Sequence, residues 1–410
     1  MPRVAALTGV WLVAWSFSGL WWGVASFQHG GLGPGRLGLG RRVPGRTSAS
    51  AAWIQAGGHL AAASAGVAAP LTKEASPARE GHLEQDIDAT HLPRAEIRRW
   101  RAGAGLAVAT CVALAPQINS WLARVWPVLQ ASPVFRHDMF EPVLAITAFF
   151  VWGHMWWVVD WLVNSGRAPW LARYKLPVPR GRAGQGKSAA TPWYKGWILE
   201  AAVYLLPLWF LSATTDAFAP RRMALALGPP TIGRIAGEVG LGLFLYDLYF
   251  WWSHAAMHRG PLASRFYRAL HGKHHANAEV RACDTVRLTA VEQTIDALCS
   301  ILALRTLGAH PMSRSVHNIV ITFLLLELHC GYDMPWSPQN LVPGRIVAGS
   351  RRHHEHHRDG RVFYQKFFTY LDELFDYGAR RAHQLRARVA ATGTHRPTAL
   401  PSAVSASSSA

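Results

Sequence analysis

Uncharged apolar stretches long enough to cross a bilayer recur along this chain, and they limit what it can fold into more than any other feature. A bilayer core is about 30 Å thick, so a helix needs about 20 apolar residues to span it. Inside that core only elements that satisfy their own backbone hydrogen bonds persist. Residues 4–27 form the first stretch, with Trp11, Trp15, Trp21 and Trp22 and with Arg3 ahead of it, the pattern of a signal anchor or targeting segment. Residues 102–123 form a second, interrupted by Pro116 and Asn119. Residues 142–159, 196–215 (with Glu200 near one end) and 235–253 form three more. Two shorter pieces, 293–304 and 316–326, read as a buried or half-inserted hairpin. The expected fold is therefore all-α: a polytopic membrane helical bundle of about four to six membrane segments.

Composition agrees. Hydrophobic residues make up 50% and charged residues 16%, against about 25% charged in an average soluble domain. Lys and Arg number 42 against 24 Asp and Glu, a net charge of +18. Such a balance favours an acidic partner, a headgroup surface or an acidic protein. Nucleic acid is not expected, since the basic residues lie between apolar segments and no nucleic-acid motif is visible. The loop 166–195 carries Arg167, Arg173, Lys175, Arg180, Arg182, Lys187 and Lys195 and no acid, which by the positive-inside rule puts it in the cytosol. The chain from His254 onward then starts on the cytosolic side. Residues 28–101, rich in Gly, Arg, Ala and Pro, read as a flexible linker, and 385–410 as a disordered tail. Cys111, Cys283, Cys299 and Cys330 make no CxxC pair, so neither a disulfide framework nor a Cys-based zinc site is expected.

Twelve of the 20 His lie between His254 and His357, where a uniform spread would place about five. They form three groups. His254 and His258 are four apart, on one face of a helix. His271, His274 and His275 repeat that face at i, i+3 and i+4, and His353, His356 and His357 have the same HxxHH spacing. His329 ends the second short apolar piece. The first group is not the HExxH zinc-protease motif, because no Glu holds its second position. Eight or nine imidazoles exceed one tetrahedral zinc and fit two metals with four or five nitrogen ligands each. Imidazole suits Zn, Cu, Fe and Ni. His354 points off the third face, and His310 and His317 read as structural.

HxxxH, HxxHH and HxxHH after hydrophobic spans resemble the fatty acid hydroxylase/sterol desaturase superfamily of membrane di-iron oxygenases. The likeness covers roughly 233–377, with Tyr246 to Trp252 leading into the first box, Phe266-Tyr267-Arg268 before the second and Phe367 to Asp372 after the third. His329 to Ser337 followed by Leu341-Val342-Pro343 looks most like the cholesterol 25-hydroxylase branch. The chain departs at Thr289-Ala290, where many members have His-Pro, and at Arg351-Arg352, where that branch is apolar then His. The resemblance implies a dimetal site in a cytosolic histidine-rich cap, with His254, His258, His271, His274, His275, His329, His353, His356 and His357 as ligands of two iron ions. It implies hydroxylation of a lipid or sterol C–H bond with dioxygen. The external NAD(P)H-derived electrons would come through a cytochrome-type electron donor and its reductase, and the endoplasmic reticulum is the expected membrane. Desaturation on the same scaffold is the alternative. A membrane metal-binding or transport protein is another, disfavoured because His154 is the one clear mid-span His.

Ligating His usually passes its second N–H to a carboxylate or carbonyl. The candidates for that role are Asp247, Asp284, Glu327, Asp333 and Asp372, with His354 beside them. Asp247 is the most telling, an acid inside an apolar stretch. The expected organisation is an N-terminal hydrophobic segment (1–27), the linker (28–101), membrane helices (102–232), the catalytic domain (233–384) and the tail (385–410).

Overall fold

The structure, a computed structural model, describes residues 92–177, 193–216, 218–259, 267–276 and 280–392. Among them it is helical, with no strand and only two isolated bridges, Lys175 to Tyr332 and Val347 to Phe368. The principal helices are α1 (Arg94–Ala113), α2 (Ala115–Ala131), α3 (Phe140–Asn164), α4 (Trp193–Thr214), α5 (Ile232–His258), α6 (Ala290–Thr306), α7 (Pro311–Leu328), α8 (Ser350–Asp359) and α9 (Ala379–Thr392).

The helix starts are local. Thr231 accepts a hydrogen bond from Arg234 N and opens α5; Thr289 accepts one from Glu292 N and opens α6. His310 caps α7 by accepting from Met312 N, with Pro311 in the first turn. At the other end of the scale, α8 stops at Gly360, which takes a left-handed φ of 71°.

Packing then closes a ring. α3 packs on α7 and α4, α4 on α6, α6 on α5, and α5 on α7. α5 is the centre of the bundle, also touched by α2, and Tyr246, Asp247 and His254 on it are almost fully buried. This is why its polar residues are tolerated: they face protein. The C-terminal ends of α5 and α7 meet the N-terminal end of α6 and the whole of α8 at one end of the ring.

Three expectations change. Of the described helices only α3 is long and apolar enough to cross a membrane, or two spans if α1 and α2, bent by 62°, count as one. The expected four to six segments are not reached among the described residues. The stretch 102–123 breaks at Leu114, because Pro116 in the first turn of α2 cannot continue the hydrogen bonding of α1. The stretch 196–215 is helical, but its apolar part is the shorter Ala201–Thr214. α5 is a core helix, too rich in Gly, Tyr, Trp and His to qualify. The linker ends earlier than 101, since Leu92 and Ile97 join the core and α1 begins at Arg94. The tail begins later than 385, since Ala382 and Leu385 of α9 pack on Val362 and Phe363. Segment 4–27 lies outside the described residues.

Both α7 and α6 approach α5 at Gly242. A Cβ there would sit 2.9 Å from His317 Cδ2 and 3.2 Å from Leu304 Cδ2, so Gly242→Val should cost about 1–3 kcal/mol by overpacking. Thermal unfolding in detergent checks this; an unchanged midpoint would contradict the close approach.

Candidate metal centre

All nine proposed imidazoles converge. His254, His258, His271, His275 and His356 form one group; His274, His329, His353 and His357 form a second. Within each group one ring nitrogen per residue lies within 4.8 Å of all the others. His254 and His258 share a face at the end of α5, as their spacing expects. The second cluster does not stay on one face. Tyr267–His271 is a single π-helical turn and His274–Ala276 a 3-10 turn. This change of winding sends His271 and His275 to the first group and His274 to the second. α8 is divided likewise, His356 to the first group and His353 and His357 to the second. The two helical turns thus tie the groups together.

The ring nitrogens face each other closely: His254 Nε2 to His271 Nε2 at 3.2 Å, His275 to His356 at 3.1 Å, His274 to His329 at 3.2 Å, and His329 to His353 at 2.9 Å. Their outer nitrogens fix the tautomers. His254 Nδ1 lies 2.7 Å from Tyr364 O, His329 Nδ1 2.8 Å from Leu325 O and His356 Nδ1 2.8 Å from Val362 O. A carbonyl only accepts, so each of these Nδ1 carries the hydrogen and each Nε2 a lone pair. His271 Nδ1 lies 2.5 Å from Glu292 Oε1, a carboxyl that burial pushes up to about 8; when that carboxyl is ionised it accepts from Nδ1 and leaves the His271 Nε2 lone pair free. With Glu292 ionised, His254 and His271 aim two lone pairs at one another across 3.2 Å, a geometry that a shared cation would satisfy. The donor set, all imidazole, suits first-row transition metals.

Burial, with neighbouring imidazoles adding to it, holds His271, His274, His275, His353 and His357 well below the usual histidine range and His356 down to about 4. At neutral pH the rings are uncharged and their lone pairs available, as metal binding requires.

The acids expected beside the ligands act one step further out. Asp247 accepts from Lys366 N (2.8 Å), Phe367 N (3.2 Å), Phe368 N (2.9 Å) and Gln365 Nε2 (2.9 Å). Asp372 accepts from Tyr364 N (3.1 Å), Gln365 N (3.0 Å) and Trp251 Nε1 (2.9 Å). Both clamp the strap 362–368, whose carbonyls at Val362 and Tyr364 hold His356 and His254. Glu327 accepts from Ser337 Oγ, Asp284 from Arg281 N, and Asp333 from Asn340 Nδ2. His354 Nε2 lies 3.2 Å from Pro177 O, outside both groups. His310 and His317 are buried away from both groups, as expected of structural residues.

Glu292 was not among the sequence candidates. The signal was there: an acid in the first turn after Thr289, in an otherwise apolar segment. Thr289 Oγ1 also donates to Leu270 O, which ties the second cluster to α6. Between the two groups is a small pocket of about 10 Å³, room for about one water-sized molecule. Its walls combine His254 and His271 of one group, His274, His329 and His353 of the other, the apolar Phe250, Leu288 and Leu325, and Lys366.

Residues 239–377 match the family model described as fatty acid hydroxylase. The chain is 26% identical over 262 residues to a cholesterol 25-hydroxylase-like protein of Danio rerio, covering 62% of this chain and 96% of that protein. It is 24% identical over 257 residues to the cholesterol 25-hydroxylase of Rattus norvegicus, covering 62% and 81%. It is also 29% identical over 193 residues to a very-long-chain aldehyde decarbonylase of Oryza sativa subsp. indica, covering 45% and 68%. No solved structure matches it.

Two outcomes follow from this geometry. Acid should destabilise the metal-free chain. The unfolded rings titrate near pH 6.5 and the folded ones lower, so the unfolded state binds more protons and stability falls as pH drops from about 6.5 towards about 4. Glu292 and Glu327, pushed up to about 8 by burial, Asp372 to about 7 and Asp247 to about 6 run the other way, four carboxyls against nine imidazoles. Denaturant unfolding across that range checks the sign. Separately, Glu292→Ala should weaken metal binding about 10–100-fold, the usual loss when a ligand's outer partner goes, read by competition with a chelator.

Proposed function

The chain carries a fatty acid hydroxylase domain at 239–377, and from that premise we propose that it is a membrane-bound di-iron oxygenase that hydroxylates a C–H bond of a lipid or sterol. The observation that carries the reading is the pair of facing imidazole groups, one of five and one of four, around a pocket with an apolar wall. His254, His258, His271, His275 and His356 would hold one iron, and His274, His329, His353 and His357 the other. Bound there, the irons supply dioxygen activation. The balance is one C–H bond, one dioxygen, two electrons and two protons in, one alcohol and one water out.

The chain's own residues do the rest. Phe250, Leu288 and Leu325 give the reacting carbon an apolar wall and keep bulk water out. The carbonyls of Val362, Tyr364 and Leu325 and the Glu292 carboxylate keep the ring nitrogens pointed inward. No Rossmann fingerprint or P-loop is visible in the sequence, so the electrons come from a separate donor, a membrane cytochrome with its NAD(P)H reductase. Arg259, Lys273, Arg281 and Arg287 give the histidine end a basic rim that suits an acidic protein or anionic lipid. With that end in the cytosol, the enzyme would work at the endoplasmic reticulum surface. The relatives named as sterol hydroxylases favour hydroxylation of a sterol or similar lipid. The metal-transport alternative loses support because His154, on α3, is exposed, stacked on Trp157 and apart from both groups.

Purified in detergent, the protein should carry about two irons per chain. His274→Ala should abolish product, followed by lipid and sterol profiling of cells with and without the gene, while the protein remains in the membrane. Retained turnover in that variant would refute the ligand assignment.

A further inference from the structure

Behind the first histidine group a series of rings runs to the surface. Tyr364 is fully buried against three of that group's imidazoles, its ring centroid 5.2 Å from that of His258, 5.6 Å from His356 and 5.7 Å from His254. Tyr377 follows at 5.0 Å from Tyr364, Trp251 at 6.3 Å from Tyr377, and Trp252 at 4.9 Å from Trp251. The series thus starts on a buried phenol and ends on an indole that is 56% exposed.

Rings at such separations are ordinary in protein cores, but three features set this series apart. The first is composition. Every member is Tyr or Trp, the aromatic side chains that give up one electron most readily, and no Phe interrupts them. The second is direction. Among the described residues, those lining the pocket between the two histidine groups include Phe250 but neither Tyr nor Trp. Oxidisable rings are therefore kept from the wall that faces the reacting carbon and placed behind the ligands. The third is polar support. Trp251 Nε1 donates to Asp372 Oδ1 at 2.9 Å, and the Tyr364 hydroxyl accepts from Arg259 Nε at 2.7 Å and donates to Gly360 O at 3.3 Å. An indole that has lost an electron is a strong acid, and Asp372 stands where it can take the Trp251 proton and give it back.

We propose that Tyr364, Tyr377, Trp251 and Trp252 form a relay that carries oxidising equivalents from the histidine centre to the surface when no substrate C–H bond is in reach. This rests on the oxygenase reading and adds a protective function to it. Each equivalent leaves as one electron moving inward: Tyr364 gives an electron to the centre, Tyr377 refills Tyr364, Trp251 refills Tyr377, and Trp252 refills Trp251. Only Trp252 is left oxidised, as a neutral indole radical whose N–H proton has gone to solvent. A small soluble one-electron reductant then restores it, with a proton from water. With hydrogen peroxide as oxidant and ferrocyanide as reductant, the sum is one peroxide, two protons and two ferrocyanides in, two waters and two ferricyanides out. Without the relay the oxidation falls on the ligand imidazoles.

The full chain in detergent, loaded with iron, freed of excess metal and given no lipid, is treated with hydrogen peroxide, and its oxidised residues are located by peptide mass spectrometry. In the wild type oxidation should collect on Trp252, and added ferrocyanide should suppress it while turning to ferricyanide. Tyr377→Phe, with metal content unchanged, should lose the Trp252 mark, gain oxidised histidine at His254, His258 and His356, and slow ferricyanide formation about tenfold. Trp252→Phe, at an exposed position, should slow it equally and serves if the first variant does not fold. Tyr267→Phe, which removes a phenol 5.3 Å from His258 that is outside the series, should leave the Trp252 mark in place. An unmarked Trp252 in the wild type, or a mark and a ferricyanide rate that survive Tyr377→Phe with its metal intact, would overturn the relay. A chain that takes up no iron would overturn the oxygenase reading instead; copper(II), which imidazole also holds, then fills the centre, and the same marks decide the relay.

Discussion

Two imidazole nitrogens that face each other across about 3 Å, each with its hydrogen on the far side of the ring, repel unless something positive lies between them. His254 is held in that state by the Tyr364 carbonyl, and His271, facing it at 3.2 Å, joins it when Glu292 is ionised. Much of the surrounding structure maintains it. The strap 362–368 supplies two of the carbonyls, and Asp247 and Asp372 take up the strap's backbone N–H groups. Phe363 within the strap is fully buried at a φ of 58°, a left-handed conformation that a bulky residue adopts only when its surroundings impose it. Preorganisation of this kind removes from metal binding the cost of gathering nine side chains.

The same geometry explains why acids are plentiful around an all-imidazole donor set. A carboxylate in direct contact would neutralise the metals. Set one bond further out, on backbone N–H groups, it fixes the orientation of the rings and leaves the charge of the centre available for chemistry. Glu292 is the exception that touches a ligand ring directly, and it does so from the first turn of α6.

Much of the centre was legible in the sequence, because His at i, i+3 and i+4 on a helix is a local signal. His254 with His258, and His353 with His357, fall together from helical periodicity alone, while His356 on the same helix joins the first group. His329 was legible from its place at the end of an apolar segment. The division of the second cluster between two groups was not, since it depends on a π turn followed by a 3-10 turn that no residue pattern announces. The partners of the acids were hidden for another reason. Asp247 meets residues about 120 positions away, and a single sequence carries no sign of such a contact. By hydropathy α5 does not pass as a span, because glycines and buried, hydrogen-bonded polar residues such as Asp247 interrupt its apolar face.

The central claim, that nine imidazoles gather two metal ions, is tested most directly by anomalous X-ray scattering from crystals of the iron-loaded protein, measured on both sides of the iron absorption edge. Two separate peaks, one among His254, His258, His271, His275 and His356 and one among His274, His329, His353 and His357, are expected. A single peak, or none within reach of those nitrogens in protein shown to be loaded, would contradict it.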